Sequence, residues 1–510
     1  MTQSSGPRKH GTLYVEVRLN EGCSIRSETI RANVEKWLVS HHRDIKVGAT
    51  QEFSYSLASP SETAQAIERI HVSGHSLSKS FPDQTLYLVS ESYLDIALYS
   101  LLSDTEHDSQ PEEDKDEGDK SPSHRFTDLP LPYRSFDGLW ESLVFKDPIG
   151  ELILRSIVRA TKDRQHSGMN WSTRPWQNTV LLHGPPGSGK TTLAQALAQR
   201  LSIRLSNIFP TSRLLEVKSR ALLSRYFGES SKEVGELFES ISCMAENDEQ
   251  LVIVLIDEVE SIAGCRTKAS KANEVGDAIR STNEVLRGLD RFRERTNVVF
   301  CCTTNLLADV DSAFVDRCYI ETPVNIPAAD CIFEILRADL NNLIQCGKLG
   351  CEKLGYDGRH IEMPPIIHCN DLSSTLQSTQ TFDLFSKTPI YIPDLTWASI
   401  HWPKGATTVV SELHKIATLG KGLSGRKLRA LVTQTLYMYT VEEPCDLQAF
   451  LIALESVIRA KVGIPLREAE AEDSSTAASE QATDNDEHNT ETMAFLSKLE
   501  ADNHMDVSDD

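Results

Sequence analysis

The chain has 510 residues, 40% hydrophobic and 25% charged, with a formal net charge of −22, a length that calls for two or more domains. Residues 104–120 carry nine acids against two bases and residues 466–510 fourteen against two, so the remainder is close to neutral at −3. A near-neutral body lacks the clustered Lys and Arg that broad phosphate-backbone binding needs, and no apolar run is long enough to span a bilayer, so neither nucleic acid nor a membrane is expected as a direct partner.

The opening MTQSSGPRKHG leads into an alternating strand and not a continuous apolar segment, so no secretory signal is expected. Residues 1–103 read as a small α+β domain. In TLYVEVRLN, Leu13, Val15, Val17 and Leu19 alternate as in a half-buried strand. In ETIRANVEKWLVS, Ile30, Val34, Trp37 and Leu38 fall on one helical face. TLYLVSESY, residues 85–93, is a second strand candidate. Residues 104–130 read as an acidic linker that cannot bury a core. Residues 131–330 alternate short apolar runs with helical patterns, which predicts a parallel sheet wrapped by helices. The strand candidates are NTVLLH, LLEV, LVIVLI, NVVFCCTTN and YIETPV. LVIVLI has no polar alternation and is expected at the centre, buried on both faces. Residues 331–465 turn helical, interrupted by a Pro-, Ser- and Thr-rich insertion at about 347–405. Residues 466–510 read as an acidic disordered tail with one short apolar segment, MAFLSKL. The eleven cysteines include no CxxC pair, which points to reduced thiols in a cytosolic or nuclear setting.

The chemistry concentrates in three stretches. LLHGPPGSGKTT fits G-x-x-x-x-G-K-[ST] after a strand and before a helical run, the context that motif requires. Its candidate nucleotide contacts are Gly184, Pro185, Pro186, Gly187, Ser188, Gly189, Lys190, Thr191 and Thr192. Glycines let backbone N–H groups wrap phosphates at a helix N-terminus; Lys190 would reach the β and γ phosphates and the Thr191 hydroxyl would take one Mg²⁺ position. LVIVLIDEVES ends an apolar strand in Asp257 and Glu258. Asp257 would hold Mg²⁺ through water, and Glu258 would orient the attacking water. An acidic pair alone reads equally well as a solvated turn; the phosphate loop decides the matter. No Asn-Lys-x-Asp tetrad is present, which favours adenine and hence ATP. Asn305 ends the strand NVVFCCTTN, where an amide could sense the γ-phosphate or simply start a turn. Arg317, before the next strand, could be an arginine finger or a surface ion pair. In KGLSGRKLRALV, Ser424 is a plausible helix cap and Arg426 stands in the first turn, where a cation suggests a phosphate partner.

Taken together, FDGLWESLVF, LLHGPPGSGKTTLAQALAQRL, RYFGES, VLIDEVESIAG, GDAIRSTNEVLRGLD, TTNL, AFVDR and GLSGRKLR resemble the AAA+ ATPases, and within them the pachytene checkpoint ATPase family. The resemblance covers about residues 131–465. It implies an AAA+ P-loop parallel sheet with a helical lid, preceded by an α+β substrate-recognition domain. It implies a homo-hexameric ring that hydrolyses ATP with Mg²⁺ and remodels HORMA-domain clients, directly or through a HORMA-like adaptor, in spindle checkpoint and meiotic chromosome axis control, in the nucleus and the cytoplasm. It assigns Asn305 as sensor 1, Arg317 as the finger, Arg426 as sensor 2, and Tyr226, Phe227 and Gly228 as a pore loop gripping an extended client, with Arg266–Asp277 as a second. Spacing alone allows Leu222, Leu223, Tyr226 and Phe227 to form a core-facing helical stripe instead. A DNA-handling ATPase and a nucleotide-gated scaffold are the rival classes.

Overall fold

The computed structural model describes residues 11–47, 50–51, 62–76, 86–103, 125–165, 178–222, 229–265, 275–350, 355–356, 359–360, 392–401, 408–440 and 444–463. The pore-loop residues Tyr226, Phe227 and Gly228, most of the second loop, the acidic stretch 104–124 and the acidic tail lie outside them.

In the first domain, β1 (Thr12–Leu19) buries Leu13, Val15 and Val17, as alternation predicts, and α1 (Ser27–His41) buries Ile30, Val34, Trp37 and Leu38. With β2 (Thr50–Gln51), β3 (Ile67–His75) and β4 (Tyr93–Tyr99) they form a sheet in the order β2-β3-β1-β4, β1 running antiparallel to β3 and parallel to β4. The strand expected at residues 85–93 is interrupted. Leu86–Leu88 pairs with Asp44–Lys46, Val89–Glu91 is a 3₁₀ turn, and the sheet strand starts only at Tyr93. The buried Ser92 hydroxyl donates to the Leu88 carbonyl and closes that turn.

The second domain is built on β5 (Phe126–Leu131), α2 (Ile149–Gln165), β6 (Thr179–His183), α3 (Lys190–Arg204), β7 (Thr211–Val217), α4 (Glu229–Met244), β8 (Gln250–Ile256), α5 (Val275–Arg291), β9 (Val298–Thr304), α6 (Ser312–Val315) and β10 (Ile320–Pro323). The six strands lie in the order β10-β6-β9-β8-β7-β5, all parallel except the edge pair β7–β5. β8 is buried on both faces: Val252, Val254 and Ile256 join one core cluster, and Leu251, Ile253 and Leu255 the other. The linker boundary needs correction, since β5 occupies residues assigned to the acidic linker. Asp128 and Pro130 break its apolar pattern in sequence, but Asp128 pairs with Arg213 on β7 at 3.0 Å and Phe126 and Leu131 are buried. Cys301 and Cys302 enter opposite core clusters, and burial pushes the Cys301 thiol up to about 12 and that of Cys302 well above its ordinary value. None of the nine cysteines among the described residues is in a disulfide.

The helical lid comprises α7 (Ala329–Gln345), α8 (Leu395–His401), α9 (Val409–Leu419), α10 (Gly425–Met438) and α11 (Leu447–Val462), sharing one apolar core. Both ends of the expected insertion belong to that core. Leu349–Gly350 pairs with Cys445–Asp446, and Ile392 and Ala398 are buried, so the bounds 347–405 take in residues of the lid core. No helix among the described residues is long and apolar enough to cross a membrane.

Candidate nucleotide site

The glycine loop and the two acidic residues after β8 lie where the parallel strands end, the place where open α/β sheets bind ligands. β6 stops at His183 and the chain turns through Gly184, Gly187 and Gly189, with φ of 143°, 76° and 99°. A Cβ on Gly184 would stand 2.3 Å from the Val324 carbonyl oxygen, and one on Gly187 would stand 2.7 Å from Ser424 Oγ. Only glycine fits this path, which leaves a cradle walled by β10's exit and by the lid. α3 begins at Lys190, whose ammonium donates to the Gly184 and Pro185 carbonyls at 2.8 and 2.9 Å. Burial lowers the Lys190 pKa, against the pull of the Asp257 and Glu260 carboxylates, and the nearby Arg426 charge lowers it further.

Thr191 places its hydroxyl 3.1 and 3.2 Å from the two Asp257 carboxylate oxygens, across 66 residues of sequence. Asp257 follows β8 directly. The next residue, Glu258, is exposed and left-handed at φ 54°, the one non-glycine residue with positive φ among the described residues; such a conformation is costly and concentrates at functional sites. Thr303 on β9, which sequence reasoning missed, donates its hydroxyl to Asp257 Oδ1, and the Glu258 N–H reaches Thr303 Oγ1 at 3.4 Å. Glu260, also missed, accepts from the Asn305 backbone N–H at 3.3 Å. The available signal was a hydroxyl pair, Thr303-Thr304, ending a strand otherwise wholly apolar.

Three buried polar atoms in these loops, Ser188 Oγ, Glu260 Oε2 and Ser261 Oγ, have no hydrogen-bond partner in the protein. A hydroxyl and a carboxylate are hard oxygen donors of the kind Mg²⁺ takes, and Mg²⁺ completes its shell with water and substrate phosphates. The described residues contain no group of three or more His, Cys, Asp or Glu able to hold a metal by themselves. The residues present therefore fit a Mg²⁺–nucleotide complex, in which Thr191 and Asp257 would supply the protein's share.

Ser424 caps α10, as its sequence predicts, and the first turn of that helix lies on the phosphate loop: the Arg426 N–H reaches the Gly187 carbonyl at 3.4 Å. Arg317 stands elsewhere. Its guanidinium grips Asp290 of α5 with two bonds of 2.9 and 3.0 Å and donates to the Ala313 carbonyl. The Tyr319 N–H bonds the Thr179 carbonyl at the start of β6, whereas the phosphate loop leaves that strand's far end; at about 3.3 Å per residue the strand separates them by about 13 Å. Arg317 is thus placed toward the opposite end of the sheet from its own chain's phosphate loop. Leu222, beside the expected pore loop, is fully buried in the core.

Family models match along the chain: "TRIP13 N-terminal domain" over residues 8–104, "ATPase family associated with various cellular activities (AAA)" over 180–326, and "TRIP13-like, AAA+ ATPase lid C-terminal domain" over 328–462. A protein of Oryza sativa subsp. indica called "Pachytene checkpoint protein 2 homolog" is 37% identical over 331 residues, 64% of each chain. The human protein of that name is 33% identical over 328 residues, 64% of this chain and 68% of the relative. The pig protein is 29% identical over 448 residues, 88% of this chain and 93% of its own. Against the rice and Arabidopsis thaliana relatives the match spans 64% and 60% of their lengths, less than two thirds of either. In three dimensions the chain is similar to PCH-2 of C. elegans, with a TM-score of 0.61 at 23% identity over 89% of this chain and 100% of that one, which shows the fold.

Proposed function

Because the chain belongs to the pachytene checkpoint protein 2 family of AAA ATPases, we propose that it binds and hydrolyses ATP with Mg²⁺ and spends that energy remodelling folded protein clients. The observation that carries the reading is the convergence of Lys190, Thr191, Asp257 and the lid's Arg426 on one glycine loop at the strand ends.

Phosphoryl transfer to water needs positioning and charge stabilisation more than covalent help. Backbone N–H groups from Gly187 to Thr192 would face the phosphates, and Lys190 would exchange its loop carbonyls for β and γ oxygens. Mg²⁺, when bound with the nucleotide, would supply charge neutralisation at the phosphates. Thr191 and Asp257 are the residues that would hold it. Glu258, held in its left-handed turn, orients the attacking water. Asn305 and Arg426 report the nucleotide to the sheet and the lid.

Arg317 serves a neighbour's nucleotide. A group toward the far end of its own sheet acts across a head-to-tail interface, and repetition of such an interface closes a ring; a homo-hexamer is the proposed assembly. Tyr226 and Phe227 line its axis and hold an extended client through aromatic contact area and not polar matching, with Gly228 as the hinge. HORMA-domain proteins as clients, action in meiotic and spindle checkpoint control, and a place in nucleus and cytoplasm follow from the family resemblance.

The test uses a Glu258→Gln chain with ATP and a purified HORMA-domain protein. The variant should form a stable ring that retains ATP and client, with steady-state turnover lost. The wild-type chain should render the client protease-sensitive only while hydrolysing ATP. Turnover at the wild-type rate by Glu258→Gln would remove the role given to that carboxylate. An untouched client through many rounds of hydrolysis would remove the client class.

A further inference from the structure

We propose that Thr303 is a positioning residue for ATP hydrolysis, setting both the carboxylate of Asp257 and the peptide that holds Glu258. The inference rests on the ATPase reading above and adds to it a residue outside its motifs. β8 and β9 are paired in parallel register through Ile256 and Cys302. One residue further along each strand, Asp257 and Thr303 meet. The Thr303 side chain is buried, 1% exposed, and a hydroxyl there must find partners. It finds two, with opposite roles. It gives its one proton to Asp257 Oδ1, and its oxygen receives the Glu258 N–H at 3.4 Å.

This double use is what makes the residue informative. A carboxylate with one oxygen tied to a fixed hydroxyl loses rotational freedom about its Cβ–Cγ bond and presents the other oxygen in a set direction. The Thr191 hydroxyl, 3.2 and 3.1 Å from Asp257 Oδ1 and Oδ2, approaches from the first turn of α3. Asp257 is thereby held between β9 and the first turn of α3. The second bond acts on the peptide between Asp257 and Glu258, where the chain enters its costly left-handed turn at φ 54° and ψ 51°. A fixed N–H at that peptide aims the exposed Glu258 side chain outward from the strand end. Glu260 repeats the tie two residues on by receiving the Asn305 N–H. The acidic loop and the strand carrying Asn305 therefore move as one body, with Thr303 at the joint.

Valine has nearly the same shape and no hydroxyl; serine keeps the hydroxyl and loses a methyl. The full-length chain is used throughout, with Thr303→Val, Thr303→Ala and Thr303→Ser compared. Two readouts are taken: steady-state ATP turnover, and equilibrium binding of a fluorescent ATP analogue as Mg²⁺ is titrated. Outer partners of metal-site groups are worth about 10- to 100-fold in metal affinity or activity. Thr303→Val and Thr303→Ala should lose kcat by about that factor and need about tenfold more Mg²⁺ to tighten analogue binding. Analogue binding without Mg²⁺ should be unchanged in both, which also reports that they are folded. Thr303→Ser should stay near wild type on every measure. Wild-type kcat and Mg²⁺ response in Thr303→Val would overturn the inference and leave the ATPase reading standing. A Thr303→Ser chain as impaired as Thr303→Val would assign the residue to packing and overturn it too. A wild-type chain that turns over no ATP would overturn the ATPase reading and this inference together.

Discussion

The first turn of α3 meets Gly184, Pro185 and, 66 residues on, Asp257; the last turn of the same 15-residue helix meets the first domain. There Arg200 and Arg204 both pair with Glu16 of β1, which is 184 and 188 residues away and fully buried. Arg200 also reaches Glu141, Arg204 lies over the Tyr14 ring at 4.1 Å, and Gly74 admits the Arg204 guanidinium so closely that a Cβ would stand 3.3 Å from it. One end is a cradle for a ligand's charge, and the other satisfies its charges internally. The apolar contact beside the second end is small, with Ala97, Tyr99, Leu101 and Ile203 as its buried cluster. Apolar surfaces tolerate many registers, whereas one carboxylate between two guanidinium groups accepts one. Buried ion pairs add little net stability but can set register; here they fix which way the first domain sits on the helix that starts at the glycine loop.

The largest effect belongs to the near end. Lys190→Ala removes the charge proposed to meet the β and γ phosphates, and loss of a preorganised stabiliser of this kind costs about 10²–10³-fold in turnover. Steady-state ATPase measures that, and a thermal melt without nucleotide should scarcely move, since the far end is untouched. Glu16→Gln should show the reverse. Breaking a buried pair from one side costs about 3–5 kcal/mol because the partners remain buried and charged. Denaturant unfolding should register that loss while Mg²⁺-dependent nucleotide binding persists. If Glu16→Gln abolished binding at unchanged stability, the two ends would be one device and the contrast would fail.

The near end was readable from sequence because its parts are contiguous or end recognisable strands. Gly184 to Thr192 is a single run, and Asp257 closes the most apolar strand in the chain. The helical face of α1, the burial of β8 on both sides and the Ser424 cap were readable for the same local reason: a period of 3.6, an unbroken apolar run, a hydroxyl before a helix. The far end was not. Glu16 sits in the polar phase of an alternating strand and reads as solvent-facing; its partners are two arginines in what looks like an ordinary charged helix end. Only tertiary contact between segments about 185 residues apart reveals it. β5 was missed because its ladder partner, and the Arg213 that neutralises Asp128, lie on another strand. Thr303 was missed because its significance is a register, Ile256 against Cys302, and not a motif.

Acid sharpens the same comparison. Burial by itself pushes the Glu16 carboxyl up from its ordinary 4.5, but the Arg200 and Arg204 guanidinium groups outweigh it and hold the group at about 2. A carboxyl depressed on folding contributes stability above its unfolded pKa and loses it as pH falls through the folded one. The stability gap between wild type and Glu16→Gln should therefore be constant above about pH 4.5 and close progressively toward pH 2. Denaturant midpoints of both proteins across that range measure it. A gap that closed between pH 8 and 6 would mean that some group other than Glu16 controls the docking.

The smallest effect separates strain from contact within the near end itself. Gly187 and Gly189 both require positive φ, so alanine at either carries a left-handed penalty of about 1–2 kcal/mol. Their surroundings differ. At Gly189 a Cβ would meet only Leu143 and Phe145, at 3.5 and 4.0 Å, whereas at Gly187 it would press on Ser424 Oγ at 2.7 Å. Gly189→Ala should weaken nucleotide binding by about tenfold, the equivalent of 1.4 kcal/mol. Gly187→Ala should weaken it further, because the start of α10 must move off the loop and carry Arg426 with it. Adding Ser424→Ala should return part of that excess, since it removes the atom that clashes and leaves the backbone strain. Fluorescent-nucleotide titration of the four chains resolves the terms. Equal losses at the two glycines, with no recovery from Ser424→Ala, would mean that the lid does not rest on the phosphate loop in solution. The near end of α3 would then be a cradle with one wall, the sheet, and nucleotide could not reach the lid through Gly187.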